Sequence, residues 1–130
     1  MKEMTPRMED IHPMIYSKQV RETVDFYTGV LGFELANHLE DWSWAALQHD
    51  QVQIMVSLPN VHLAFDRPFF TGSFYIRTRE VATLWERIKD KARVCYELEE
   101  FEYGMREFAI YDNNGYLLQF GEPIDSFEGK

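Results

Sequence analysis

Apolar residues recur at helical spacing twice along the chain. Val20, Val24, Tyr27 and Leu31 fall on one face of a helix predicted over about Lys18 to Val30, with Ser17 as N-cap and Gly32 closing it. Val81, Leu84, Trp85 and Ile88 draw the same stripe on a second helix, predicted over Arg79 to Lys91 with Thr78 as its cap. Val81, Trp85 and Ile88 each lie 61 positions beyond Val20, Val24 and Tyr27, which points to an internal repeat. Strand-like runs flank both helices: Ile11 to Tyr16, Phe33 to Leu39, Trp42 to Gln48 and Val52 to Leu58, then Ser73 to Arg77, Val94 to Leu98, Arg106 to Tyr111 and Tyr116 to Gly121. Each half therefore reads β-α-β-β-β. Pro59 to Thr71 carries two prolines and little periodicity and reads as the linker.

The last two runs enclose Asp112-Asn113-Asn114-Gly115, where Asn and Gly accept the positive φ of a tight hairpin turn. The expected fold class is α+β, a single domain of paired β-α-β-β-β modules whose curved mixed sheets form a cleft. Module one spans about 11–58, the linker 59–71 and module two about 72–122. One such half cannot cover both faces of its own sheet, so two halves, of one chain or of two chains, are expected to pack together.

Composition narrows the function. The 130 residues are 45% hydrophobic and 15% aromatic, enough for a packed core. A net charge of −9 disfavours nucleic acid and favours neutral or cationic ligands, besides keeping the chain soluble. No apolar run approaches the ~20 residues of a membrane helix, so no membrane association is expected. Met1 to Asp10 lacks the apolar stretch of a secretion signal, and Cys95 stands alone; both fit a reducing cytoplasm. Cys95 reads as a small buried residue beside Val94.

Thr23-Val-Asp-Phe-Tyr-Thr-Gly-Val-Leu-Gly-Phe33, the paired modules and the closing Asp-Asn-Asn-Gly-Tyr-Leu-Leu-Gln-Phe hairpin together resemble the vicinal oxygen chelate superfamily. That group includes glyoxalase I, extradiol dioxygenases, fosfomycin-resistance enzymes and bleomycin-resistance proteins. The resemblance runs from Ile11 to Glu122, and Tyr103-Gly-Met-Arg-Glu-Phe-Ala109 is most similar to the bleomycin-resistance branch. Metal-dependent members place ligands on the first and last strands of each half. Carried onto this chain, those positions fall at His12, Gln53, Ser73 and Gln119. Only His12 is a good divalent-metal ligand, so the resemblance implies no bound metal and no cofactor. His12 is then a hydrogen-bonded or ligand-contacting histidine. Gln53 and Gln119 either contact a ligand or satisfy polar groups inside the cleft.

Strand alternation puts Trp42, Trp44, Ala46 and Gln48 on one face, and the small Ala45 and Leu47 under a helix. Both tryptophans are therefore expected toward the cleft, with core packing the competing reading for Trp44. Trp85 is expected in the core. Phe69, Phe70 and Tyr103 sit in loops at the cleft mouth, near acidic residues at Glu40, Asp41, Glu97, Glu99, Glu100 and Glu102. These features point to a metal-independent homodimer that sequesters a planar or cationic small molecule by stacking and charge. A metal-dependent glyoxalase-type lyase or isomerase is the alternative. A regulatory module that kept the fold and lost the chemistry is a third.

Overall fold

Two copies of one unit build the computed structural model, which describes residues 6–61 and 64–124. The first is β1 (Met14–Tyr16), α1 (Val20–Gly29), β2 (Glu34–His38), β3 (Trp44–His49) and β4 (Val52–Ser57). The second is β5 (Phe74–Arg77), α2 (Val81–Ile88), β6 (Arg93–Phe101), β7 (Met105–Tyr111) and β8 (Leu117–Pro123). Each forms a four-stranded mixed sheet, in the orders β1-β4-β3-β2 and β5-β8-β7-β6. The first strand of each sheet pairs with the last in parallel, and the other pairings are antiparallel. Val20 opens α1 and Val81 opens α2, the spacing expected of the repeat. In the linker, His62 and Leu63 lie outside the described residues.

Alternation sorts each sheet into a helix-covered face and an open face. Under α1, Ile15, Ala45, Leu47, Ile54 and Val56 are buried against Val20, Val24 and Tyr27. Under α2, Phe108, Ile110, Leu118 and Phe120 pack against Val81 and Ile88. Trp85 joins them, its ring 5.1 Å from that of Phe108. Cys95 departs from expectation. Val94 turns inward, so the next residue turns out, and Cys95 is exposed beneath the Tyr111 hydroxyl at 3.3 Å.

Both helix caps also differ from expectation. Ser17 is fully buried two residues ahead of the Gln19 N-cap position and accepts the Gln19 N–H at 2.9 Å. Thr78 turns back to donate to the Ile76 carbonyl. The start of α2 is capped instead from β8, where the Glu122 carboxylate accepts the N–H groups of Glu80 and Val81 at 3.3 and 3.0 Å. Gly32 does turn the chain after α1, at φ +79°.

The hairpin turn between β7 and β8 docks module two onto module one within a single chain. Asp112 Oδ1 accepts the N–H groups of Asn114 and Tyr116, which fixes the turn, and Gly115 takes φ +93°. Tyr27 then donates to Asp112 Oδ2 at 2.7 Å, Asn114 Nδ2 to Thr23 Oγ1 at 2.9 Å, and Tyr116 to the Tyr16 carbonyl at 2.6 Å.

Candidate functional site

The open face of the second sheet carries a polar cluster centred on Glu107, a residue only 1% exposed. It stands on β7 directly opposite Gly121 of β8. A Cβ at Gly121 would meet the Tyr75 hydroxyl and crowd Glu107 Cβ, so glycine makes the room in which that hydroxyl reaches the carboxylate. Tyr75 donates to Glu107 Oε1 at 2.6 Å, and Tyr96 donates to Oε2. Gln119 Nε2 donates to the Tyr96 oxygen at 2.9 Å, and Ser73 Oγ donates to Gln119 Oε1 at 2.5 Å. Burial first, and the hydrogen bond to Glu107 second, push the Tyr75 and Tyr96 hydroxyls well above the ordinary tyrosine range. Their protons therefore stay on the phenols at neutral pH. Tyr103, at the β6–β7 turn, is raised in the same order of causes.

A second feature lies where β1, the linker and Tyr116 meet. A cavity of about 470 Å³ is walled by Met14, Tyr16, Phe65, Phe69, Phe70 and Tyr116, among others. Tyr16 meets Phe65 edge-on at 6.0 Å, and Phe70 stacks on Phe74 at 4.5 Å. Such contacts hold the aromatic walls in place.

The residues expected at the site divide accordingly. Gln119 joins the Glu107 cluster, with Ser73, and Phe69 and Phe70 line the cavity. Tyr103 is exposed and stacked on Phe101. Trp44 is half-buried on the open face of β3, between the buried Ala45 of its own strand and Ser57 of β4. Trp42 does not share that face. It precedes β3, in a turn at φ +58°, so alternation does not reach it. Its ring stacks on His38 at 4.1 Å, with the Arg21 guanidinium of α1 5.0 Å above it. His12 is exposed and pairs with Asp10 at 2.9 Å. Of the acidic residues, Glu40, Asp41, Glu97, Glu99, Glu100 and Glu102 are all exposed. Glu100 is held by Arg106 at 2.7 Å, and hydrogen bonds from Ser43 hold Asp41 below the usual carboxylate range.

Strand register changes the implied metal set. Met14 pairs with Met55 in the first sheet, and Tyr75, at the equivalent position, pairs with Gln119 in the second. Met55, not Gln53, is therefore the counterpart of Gln119, and Gln53 pairs with Gln48. The set becomes His12, Met55, Ser73 and Gln119. One imidazole, a thioether, a hydroxyl and an amide do not fit a divalent transition metal. Among the described residues, no three His, Cys, Asp or Glu side chains gather as a metal-holding group.

Sequence reasoning missed Glu107, Tyr75 and Tyr96. The available signal was a carboxylate at the head of the apolar run Phe108-Ala-Ile110. Only sheet pairing reveals that it faces inward.

Paired β-α-β-β-β modules with an open sheet face define the class to which the chain belongs. A family model described as Glyoxalase/Bleomycin resistance protein/Dioxygenase superfamily matches residues 11–120, and the chain is a member of that superfamily. No curated protein matches it. Among solved structures, a protein of unknown function from Agrobacterium tumefaciens str. C58 is similar at a TM-score of 0.76 and 16% identity, over 92% of this chain and 98% of that one. A glyoxalase/bleomycin resistance protein/dioxygenase from Alicyclobacillus acidocaldarius gives 0.71 and 20%, over 94% and 96%. A lactoylglutathione lyase from Agrobacterium tumefaciens gives 0.67 and 16%, over 91% and 96%. At these identities the likeness is one of fold. No helix among the described residues is long and apolar enough to cross a membrane.

Proposed function

We propose that the chain is a small-molecule binding protein of the bleomycin-resistance type, which sequesters a planar or cationic ligand without a metal and acts as a homodimer. The observation that carries this reading is the aromatic cavity between β1, the linker and Tyr116. Its volume falls in the roughly 300–1,000 Å³ range of small-molecule sites. Phenyl and phenol rings already fixed by one another accept a flat ligand with little further ordering. Trp44 offers a further stacking surface on the open sheet face, and Phe69 of the cavity wall stands exposed. The donor set at the family's metal positions supports a metal-independent site, because only His12 among them is a strong ligand. A second copy covering the open sheet faces would complete the cleft, and sedimentation equilibrium should then give twice the 15.5 kDa chain mass.

The test is calorimetric titration with proflavine, a flat cation, on chelator-treated protein. Binding should survive the chelator, and Phe70→Ala should weaken it about two- to tenfold through lost stacking. Absence of binding at millimolar dye, or binding that requires added nickel or zinc and is lost in His12→Ala, would overturn the reading.

A further inference from the structure

We infer that the Glu107 cluster is a recognition site for a protonated amine, read through the Tyr75 and Ser73 oxygens. The cluster shares no residue with the lining of the aromatic cavity above, so this goes beyond that reading to a second place on the molecule. The hydrogen bonds of the cluster all run one way. Ser73 donates to Gln119, Gln119 donates to Tyr96, and Tyr96 and Tyr75 donate to the two oxygens of Glu107. Both carboxylate oxygens accept a phenol hydrogen bond. The hydroxyl hydrogens of Ser73, Tyr75 and Tyr96 are thus turned inward, and what Tyr75 and Ser73 have left to offer is lone pairs. Tyr75 is 41% exposed, while Glu107 behind it is sealed.

The charge argues the same way. Among the described residues, Glu107 has no ion-pair partner. A carboxylate withdrawn from water without a cation is costly, and hydrogen bonds from neutral phenols offset only part of that cost. A cation arriving at the Tyr75 oxygen would supply the missing charge and polarise the phenol–carboxylate bond behind it. An ammonium carries both the charge and the N–H donors that an acceptor surface needs. A quaternary ammonium has the charge alone, and an alcohol has a donor without the charge. Gly121 is part of the device, since any side chain there would push the Tyr75 hydroxyl off Glu107.

Three probes with one aromatic body separate these terms: naphthylmethylamine, its trimethylammonium analogue and naphthylmethanol. Each is titrated calorimetrically into the intact chain, into Tyr75→Phe and into Glu107→Gln. The amine should bind about tenfold tighter than either of the others, the increment of a charge-assisted hydrogen bond. That preference should vanish in Tyr75→Phe, whose exposed ring is retained, and in Glu107→Gln. Should Glu107→Gln fail to fold, the ranking of probes on the intact chain and on Tyr75→Phe decides alone. Equal binding of all three, or a preference that survives Tyr75→Phe, overturns the amine site and leaves the binding reading intact. No binding of any probe at millimolar concentration overturns both.

Discussion

Asp112 shows how one side chain can hold two modules and still be uncomfortable. It lies 5% exposed at the hairpin turn, with Tyr27 and the N–H groups of Asn114 and Tyr116 donating to it. Burial raises its pKa above the usual aspartate value, outweighing the hydrogen bonds that lower it. Because the folded pKa is the higher one, the contribution is fully present below the unfolded value and is lost as pH rises through the folded value. Asp112→Asn keeps the turn acceptor and removes the titration. The stability of the natural chain relative to Asp112→Asn, measured by urea unfolding, should therefore fall as pH is raised from the ordinary aspartate range toward neutrality. A constant difference would contradict the assignment. Tyr27→Phe, by contrast, leaves Asp112 Oδ2 without its donor and should cost about 1–3 kcal/mol at neutral pH.

At the scale of elements, the start of α2 depends on a strand far away in sequence. Glu80 sits at φ +55° and offers no side-chain cap, so the first N–H groups of the helix go to Glu122 of β8. A carboxylate at a helix N-terminus also complements the helix dipole. Glu122→Ala should lower stability by about 0.5–2 kcal/mol, and thermal unfolding followed by circular dichroism would measure it. A melting temperature unchanged by the substitution would show that water replaces the cap. This element also marks what the chain makes legible. Helix faces, the succession of strands along the chain and the Asp112–Gly115 turn follow from local spacing, because periodicity and turn chemistry act over a few residues. Glu122 as a cap, Met55 as the partner position and Glu107 as a buried carboxylate follow from pairings between strands. Nothing near Glu107 in sequence announces that Gly121 will stand opposite it. Trp42 failed for a related reason: alternation holds only inside a strand, and β3 begins two residues later.

For the whole molecule, tyrosines tie these regions to one pH limit. Tyr27 joins the modules, Tyr116 anchors the start of β8, and Tyr75 and Tyr96 hold Glu107. Burial raises all four above the ordinary tyrosine value, with Asp112 adding to Tyr27 and Glu107 to Tyr75 and Tyr96. In the unfolded chain each would ionise near ~10. The stability they contribute is therefore complete below that pH and is lost as pH climbs through the folded values. The net charge of −9 sharpens the loss, since every new phenolate adds to an existing negative field. Tyrosinate absorbance and circular dichroism recorded together on one alkaline titration should thus move together: little ionisation of these four until the fold gives way above pH ~10, then ionisation and unfolding in one cooperative step. Tyr27→Phe should shift that step to lower pH, because the module contact is already weakened. All seven tyrosines titrating smoothly around the ordinary value, with the dichroism unchanged, would mean that neither the turn contact nor the Glu107 cluster is sealed as described.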